Sequence, residues 1–138
     1  MNISDTHIPG IQSLIWEYST HEALKSIVVR GFDFDTSENI KELVQNFLKL
    51  PKLHFILLIP LTVRFSADFF AHLIPKLIDL QRGFIVGLTT TYDEYDKIVN
   101  GWEVDGDSFE VKRENNMKLT AAAVYDGAPY AEFWLEPI

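Results

Sequence analysis

Apolar side chains along this chain recur at two spacings, one typical of helices and one typical of strands. Three segments with an apolar stripe at helical spacing are predicted to be helices: residues 11–19, 36–50 and 66–82. Three short runs rich in apolar residues are predicted to be strands: residues 24–30, 53–59 and 84–90. The run 53–59 is continuously apolar, which is typical of a strand buried on both faces.

Local sequence signals indicate where the third predicted helix begins, bends and ends. Ser66 is placed to cap its first turn, and Phe65 and Phe70 occupy the two positions of a hydrophobic staple. Pro75 lies inside the apolar stripe and has no backbone N–H, so we expect a kink or a break there. Gly83 stands where a glycine commonly ends a helix.

The pattern changes near residue 92. Residues 102–111 alternate around an Asp-Gly turn, which predicts a β-hairpin. Residues 117–125 and 130–135 predict two further strands, joined by a turn that contains glycine and proline. We therefore predict an α/β (α+β) fold with one mixed β-sheet. Its N-terminal β-α-β-α-β part carries helices packed on the sheet, and a C-terminal antiparallel β-meander follows.

The predicted change of architecture coincides with a change of charge. The whole chain, 1–138, is predicted to be one domain, with an α/β part at 1–91 and an acidic antiparallel part at 92–138. The net charge is −8, and the acidic part holds 11 of the 20 acidic side chains but only 4 of the 12 basic ones. A field of one sign attracts cationic partners and repels nucleic acid and anionic lipid. We therefore predict a basic protein as partner, with no nucleic acid and no membrane.

Composition restricts the class of protein further. The chain has no cysteine, so disulfides and thiolate chemistry are excluded. Its first residues lack the basic and apolar regions of a signal peptide. The longest apolar stretch, 53–63, is far short of the ~20 residues that span a bilayer. We therefore predict a cytoplasmic protein.

The candidate partner-binding residues lie where acidic and aromatic side chains are interleaved, between residues 92 and 110. They are Asp93, Glu94, Tyr95, Asp96, Trp102, Glu103, Asp105, Asp107 and Glu110. Aromatic anchors surrounded by charge are typical of protein-binding surfaces, and Trp102 or Tyr95 is the expected anchor. The alternative is that half of these aromatic residues face the core and that the acids form a solvated surface.

A small α/β enzyme is the second hypothesis, and it depends on Asp33 and Asp35. Two carboxylates beyond the carboxyl end of a strand could hold Mg²⁺ or act as nucleophile and acid. The segment resembles the Asp-x-Asp motif of haloacid-dehalogenase-type phosphatases, and Thr62 resembles that family's second motif. Where that family carries a further acidic pair, this chain has Leu-Thr-Thr-Thr at 88–91. The four histidines share no ligand-like spacing either, so we predict no catalytic residue, no cofactor and no metal.

The size and composition of the chain resemble those of bacterial toxin-immunity proteins, including those of contact-dependent growth inhibition. The resemblance implies that the chain covers a cationic toxin nuclease domain and that charge complementarity speeds their association. A homo-oligomeric regulatory module is the third hypothesis. An exposed acidic and aromatic surface would favour the inhibitor, a polar cleft at Asp33 and Asp35 the enzyme, and a flat apolar patch the homo-oligomer.

Overall fold

Eight strands and four helices make up the described part of this computed structural model. That part comprises residues 2–3, 11–32, 37–60, 63–105, 109–124 and 129–138, with the backbone alone at 2, 3, 11, 12, 32, 37–39 and 105. The strands are β1 (Asn2–Ile3), β2 (Ser26–Phe32), β3 (Phe55–Pro60), β4 (Phe84–Thr89), β5 (Glu103–Asp105), β6 (Phe109–Glu114), β7 (Met117–Val124) and β8 (Tyr130–Pro137). The helices are α1 (Ile11–Tyr18), α2 (Ser37–Leu48), α3 (Ala67–Asp79) and α4 (Tyr92–Ile98).

The described strands form one sheet in the order β1-β2-β3-β4-β8-β7-β6-β5. Strands β1 to β4 are parallel, and β8 pairs antiparallel with β4. Strands β8, β7, β6 and β5 then continue as an antiparallel meander, which includes the predicted hairpin. The predicted mixed sheet is therefore confirmed. The pattern of apolar residues does not reveal β1, which has two residues, or α4, which buries a single side chain.

The helices cover one face of the sheet. All four contribute buried side chains to one large apolar cluster, among them Ile15, Phe47, Phe70 and Tyr95. The parallel strands follow one another in sequence order, so each connection moves in the same direction across the sheet. Right-handed crossovers that all move one way place their helices on the same face.

Helix α3 begins as its sequence predicts. The Ser66 hydroxyl accepts a hydrogen bond from the Phe69 backbone N–H at 3.3 Å, which caps the first turn. The rings of Phe65 and Phe70 meet edge-on with their centroids 6.4 Å apart, as a hydrophobic staple requires. These contacts fix the start of α3, whose first backbone N–H is bound by a residue of the candidate site.

The other end of α3 differs from expectation. Pro75 lies inside a continuous helix, so the expected break is absent. Pro75 and Ala71 are both exposed, so water can reach the Ala71 carbonyl that the proline leaves without a donor. The helix is capped at Leu80, and Gln81, with a φ of 52°, takes the left-handed position predicted for Gly83.

The face opposite the helices is lined by a row of side chains that no described helix covers. Residues directly opposite each other on neighbouring strands point to the same face. The register joins one residue from each strand between β3 and β5 into this row: Phe55, Ile85, Trp134, Thr120, Val111 and Glu103. A small buried cluster, Leu57, Ile59 and Tyr130, lies beside it. We call the surface formed by this row and cluster the open face.

Candidate functional site

Helix α4 carries the first group of predicted partner-binding residues. It begins after Thr91, whose side-chain oxygen accepts a hydrogen bond from the Glu94 backbone N–H at 3.2 Å. Asp93 and Glu94 lie in its first turn, where the helix dipole favours negative charge. The spacing of Thr91 and Glu94 is that of a capping box, and it is the sequence signal that indicates this helix.

Glu94 connects α4 to α3. Its Oε2 atom accepts a hydrogen bond from the backbone N–H of Ala67, the first residue of α3, at 2.7 Å. Its Oε1 atom lies 3.6 Å from the Lys97 ammonium nitrogen. The carboxylate thus satisfies one of the N–H groups that a helix leaves unpaired at its start. Glu94 is therefore engaged within the chain, although the sequence presents it as one acid of a cluster.

Tyr95 is buried, unlike the anchor that the sequence predicts. Its side chain is 5% exposed, and its hydroxyl donates a hydrogen bond to Glu110 Oε2 on β6. The ring is the one buried side chain of α4, and its hydrogen bond to β6 attaches the helix to the meander. Tyr95 therefore does not offer its ring to a partner, and Glu110 serves as its acceptor.

The β5–β6 hairpin separates the second group of predicted acids. Glu103 lies on the open face, where its carboxylate is 2.9 Å from Arg113 Nη1. Glu110 lies on the helix face, where it meets Tyr95. The backbone of Asp105 pairs with Phe109 at the end of β5, and Asp107 lies outside the described residues. The single acidic face expected from the sequence is therefore divided between the two faces of the sheet.

Trp102, the other expected anchor, borders a groove between α3, α4 and β6. Its ring packs edge-on against Phe133, with centroids 6.3 Å apart, and the Lys112 ammonium lies 5.9 Å from the ring centroid. The groove has a volume of about 470 Å³. Its charged lining residues are Lys97, Lys112, Asp68 and Glu114. Trp102 is half-buried and remains partly accessible, but the charge around it is mixed.

Four side chains of α4 are exposed: Tyr92, Asp93, Asp96 and Lys97, whose ammonium lies near Glu94. We call the part formed by Tyr92, Asp93 and Asp96 the α4 surface. Tyr92 is 59% exposed. Asp93 and Asp96 are exposed and make no ion pair with any described residue. Tyr92 and Asp96 are one helical turn apart and therefore lie side by side. The candidate set drawn from the sequence omits Tyr92, although this four-residue spacing indicates it once α4 is known to be a helix.

The residues on which the enzyme hypothesis depends, Asp33, Asp35 and Thr62, lie outside the described residues. Within the part of the chain that is described, no group of three or more histidine, aspartate or glutamate side chains could hold a metal ion. No helix in that part is long and apolar enough to cross a membrane.

Comparison with protein families, with curated proteins and with solved structures finds no match to this chain. A functional assignment must therefore be argued from the surfaces described above.

Proposed function

We propose that this chain is a small acidic binding protein that neutralises a basic protein partner in the cytoplasm. The partner class that fits best is a cationic toxin nuclease, and the chain acts as a bacterial immunity protein of the contact-dependent growth inhibition type by binding it directly. The observation that carries this proposal is the α4 surface, an exposed Tyr92 flanked by the carboxylates of Asp93 and Asp96.

Charge and burial explain why the partner would meet α4. Glu94, Glu103 and Glu110 each have a partner within the chain, whereas Asp93 and Asp96 have no ion pair to a described residue. At physiological salt the Debye length is about 8 Å, so neighbouring charges on one helix act together on an approaching cation. The chain's net charge of −8 adds a longer-range attraction that speeds encounter at low salt.

Tyr92 would supply the apolar contact. A tyrosine ring gives a large contact area with few rotatable bonds, and tyrosine is common at wet protein interfaces. Truncating such an anchor should mainly raise the dissociation rate, because the anchor's contacts form late and hold the complex together. The two aspartates should instead act on the association rate.

The test measures association and dissociation rates across a salt series with the purified partner. The partner is the toxin domain encoded beside this gene, or the protein captured by the immobilised chain, and the chain should block its nuclease activity. In the double variant Asp93→Lys plus Asp96→Lys, we expect association at low salt to slow by about tenfold or more and its salt dependence to flatten. Tyr92→Ala should raise the dissociation rate and leave association nearly unchanged.

A matched control separates the α4 surface from net charge. The double variant Glu42→Lys plus Asp79→Lys changes net charge by the same amount at exposed positions on α2 and at the far end of α3. If both double variants slow association equally, only net charge is involved. If the α4 variant associates at the wild-type rate at low salt, α4 is not the binding surface. A captured partner without nuclease activity would rule out the toxin-inhibitor assignment.

A further inference from the structure

No described helix covers the open face in the parallel half of the sheet. Parallel sheets occur almost only where both faces are covered, because their strands are apolar on both sides. Here every described helix packs on the other face. Three apolar side chains from three neighbouring parallel strands, Val28, Phe55 and Ile85, are only half-buried on the open face.

Aromatic side chains extend the open face into the meander. Phe109 of β6 is 42% exposed and meets Trp134 of β8 edge-on, with ring centroids 5.9 Å apart. Trp134 is itself half-buried and stands in the row between Ile85 and Thr120. A continuous apolar patch with aromatic residues near its centre is typical of a protein interface.

The charges that are described on the open face are compensated within the chain. Glu103 pairs with Arg113 at 2.9 Å, and Glu136 pairs with Lys118 at 4.0 Å. The third carboxylate, Glu132, lies between Trp134 and Tyr130 on β8. Burial raises its pKa, and the nearby Arg30 guanidinium partly offsets this.

The pairing of charges on the open face favours a second copy of this chain as the molecule that binds there. A basic partner finds no surplus of negative charge on the open face, in contrast to the α4 surface. Two copies of a chain with a net charge of −8 repel each other over most of their surface. On the open face the described charges are paired, which reduces that repulsion, and apolar area is available on both copies.

The size of the face suits a dimer. Six strands from β3 to β5, spaced about 4.8 Å apart, give a face roughly 24 Å wide and about 20 Å long. Sheet-on-sheet contact over this face would bury roughly 500 Å² on each copy. The total of about 1,000 Å² is the area that a specific interface needs.

We propose that the open face is the contact surface between two copies of this chain, which pack sheet on sheet about a two-fold axis. Such packing is self-complementary, with the same patch on both copies. Twisted sheets stack in this way at about 30° to each other, with side chains of the two faces interdigitating. The inference concerns the face opposite the helices and does not depend on the proposed α4 interaction.

The test is sedimentation velocity of the full chain over a dilution series, at low and at high salt. We expect a dimer of the 15.9 kDa chain that dissociates on dilution and is as stable or more stable at high salt, because salt screens the repulsion between the two copies. Thr120→Arg places a large charged side chain in the middle of the row, and it should weaken dimerisation by at least tenfold.

Two further measurements keep the proposal falsifiable. Thr20→Arg makes the same substitution at an exposed position beyond α1 and should leave dimerisation unchanged. Phe109→Ser, at an exposed position, should weaken the dimer without unfolding the monomer. A wild-type chain that stays monomeric at its highest soluble concentration would overturn the proposal. So would a dimer that Thr120→Arg and Phe109→Ser leave intact, or a Thr120→Arg variant that loses binding of the basic partner but not self-association.

Discussion

Gly87 lies in the middle of β4, where a side chain would collide with its neighbours on the open face. A Cβ atom built there would lie 2.4 Å from Leu57 Cδ1 and 3.4 Å from the Tyr130 ring. Carbon atoms pack favourably at about 3.5–4.0 Å, so Leu57 would have to move by about 1 Å or more. Leu57 and Tyr130 are both buried, and both lie against the glycine.

We expect Gly87→Ala to lower the free energy of unfolding by about 1 kcal/mol. Overpacking a filled site costs about 1–3 kcal/mol. Alanine recovers about 0.5–1 kcal/mol of that, because glycine loses more chain entropy on folding. The backbone itself accepts alanine, since Gly87 is not among the residues with positive φ.

The background Leu57→Ala reverses the expected sign. Without Cδ1 the nearest atom to the new methyl group is in the Tyr130 ring, at an ordinary contact distance of 3.4 Å, so Gly87→Ala should now stabilise by about 0.5–1 kcal/mol. Urea unfolding of the wild type, the two single variants and the double variant, all at the same protein concentration, gives the coupling energy. We expect it to exceed 1 kcal/mol. Equal effects of Gly87→Ala in both backgrounds would refute the account of this packing.

Two further predictions concern single carboxylates. Glu94→Ala removes the acceptor for the Ala67 N–H and should destabilise by about 1 kcal/mol in urea unfolding, with the exposed Asp93→Ala as a control of smaller effect. Burial raises the pKa of Glu132 in the folded protein. Above that pKa the buried ionised carboxylate lowers the free energy of unfolding, and this loss disappears as the pH falls toward the ordinary pKa of glutamate. Glu132→Gln should therefore stabilise at pH 7 and lose this advantage in mildly acidic buffer, and a pH-independent effect would contradict the assignment.

Local sequence signals predicted those parts of the fold that depend on near neighbours. The apolar run of β3 lies in the centre of the parallel strands, and Ser66 and Phe65 fix the start of α3 as expected. The end of α3 departs from its signal. Gln81 can hold a positive φ because its side-chain amide donates to the carbonyls of Ile78 and Asn115, a contact 34 residues away that no local pattern contains.

The candidate site was harder to predict because it depends on which face of the sheet each residue takes. Along the chain, Asp93, Glu103 and Glu110 form one acidic cluster. In the sheet, alternation along β5 and β6 places Glu103 on the open face and Glu110 toward the helices. The strand order decides which face the helices cover, and it is a property of the whole chain. Tyr95 was expected to be an exposed anchor for the same reason. Its environment depends on Glu110 of β6, 15 residues away in sequence.

The parallel strands follow one another in one direction across the sheet, so the helices between them cover one face and no described helix covers the other. The two proposed surfaces therefore differ in physical character. The α4 surface lies on the helix side and carries carboxylates that form no ion pair with a described residue, so binding there should weaken as salt increases. The open face lies on the opposite side and carries paired charges around apolar side chains, so self-association there should resist salt. Because the two surfaces face away from each other, a dimer formed through the open face would leave both α4 surfaces accessible. Salt dependence therefore distinguishes the two interactions in one preparation, and each proposal can fail without the other.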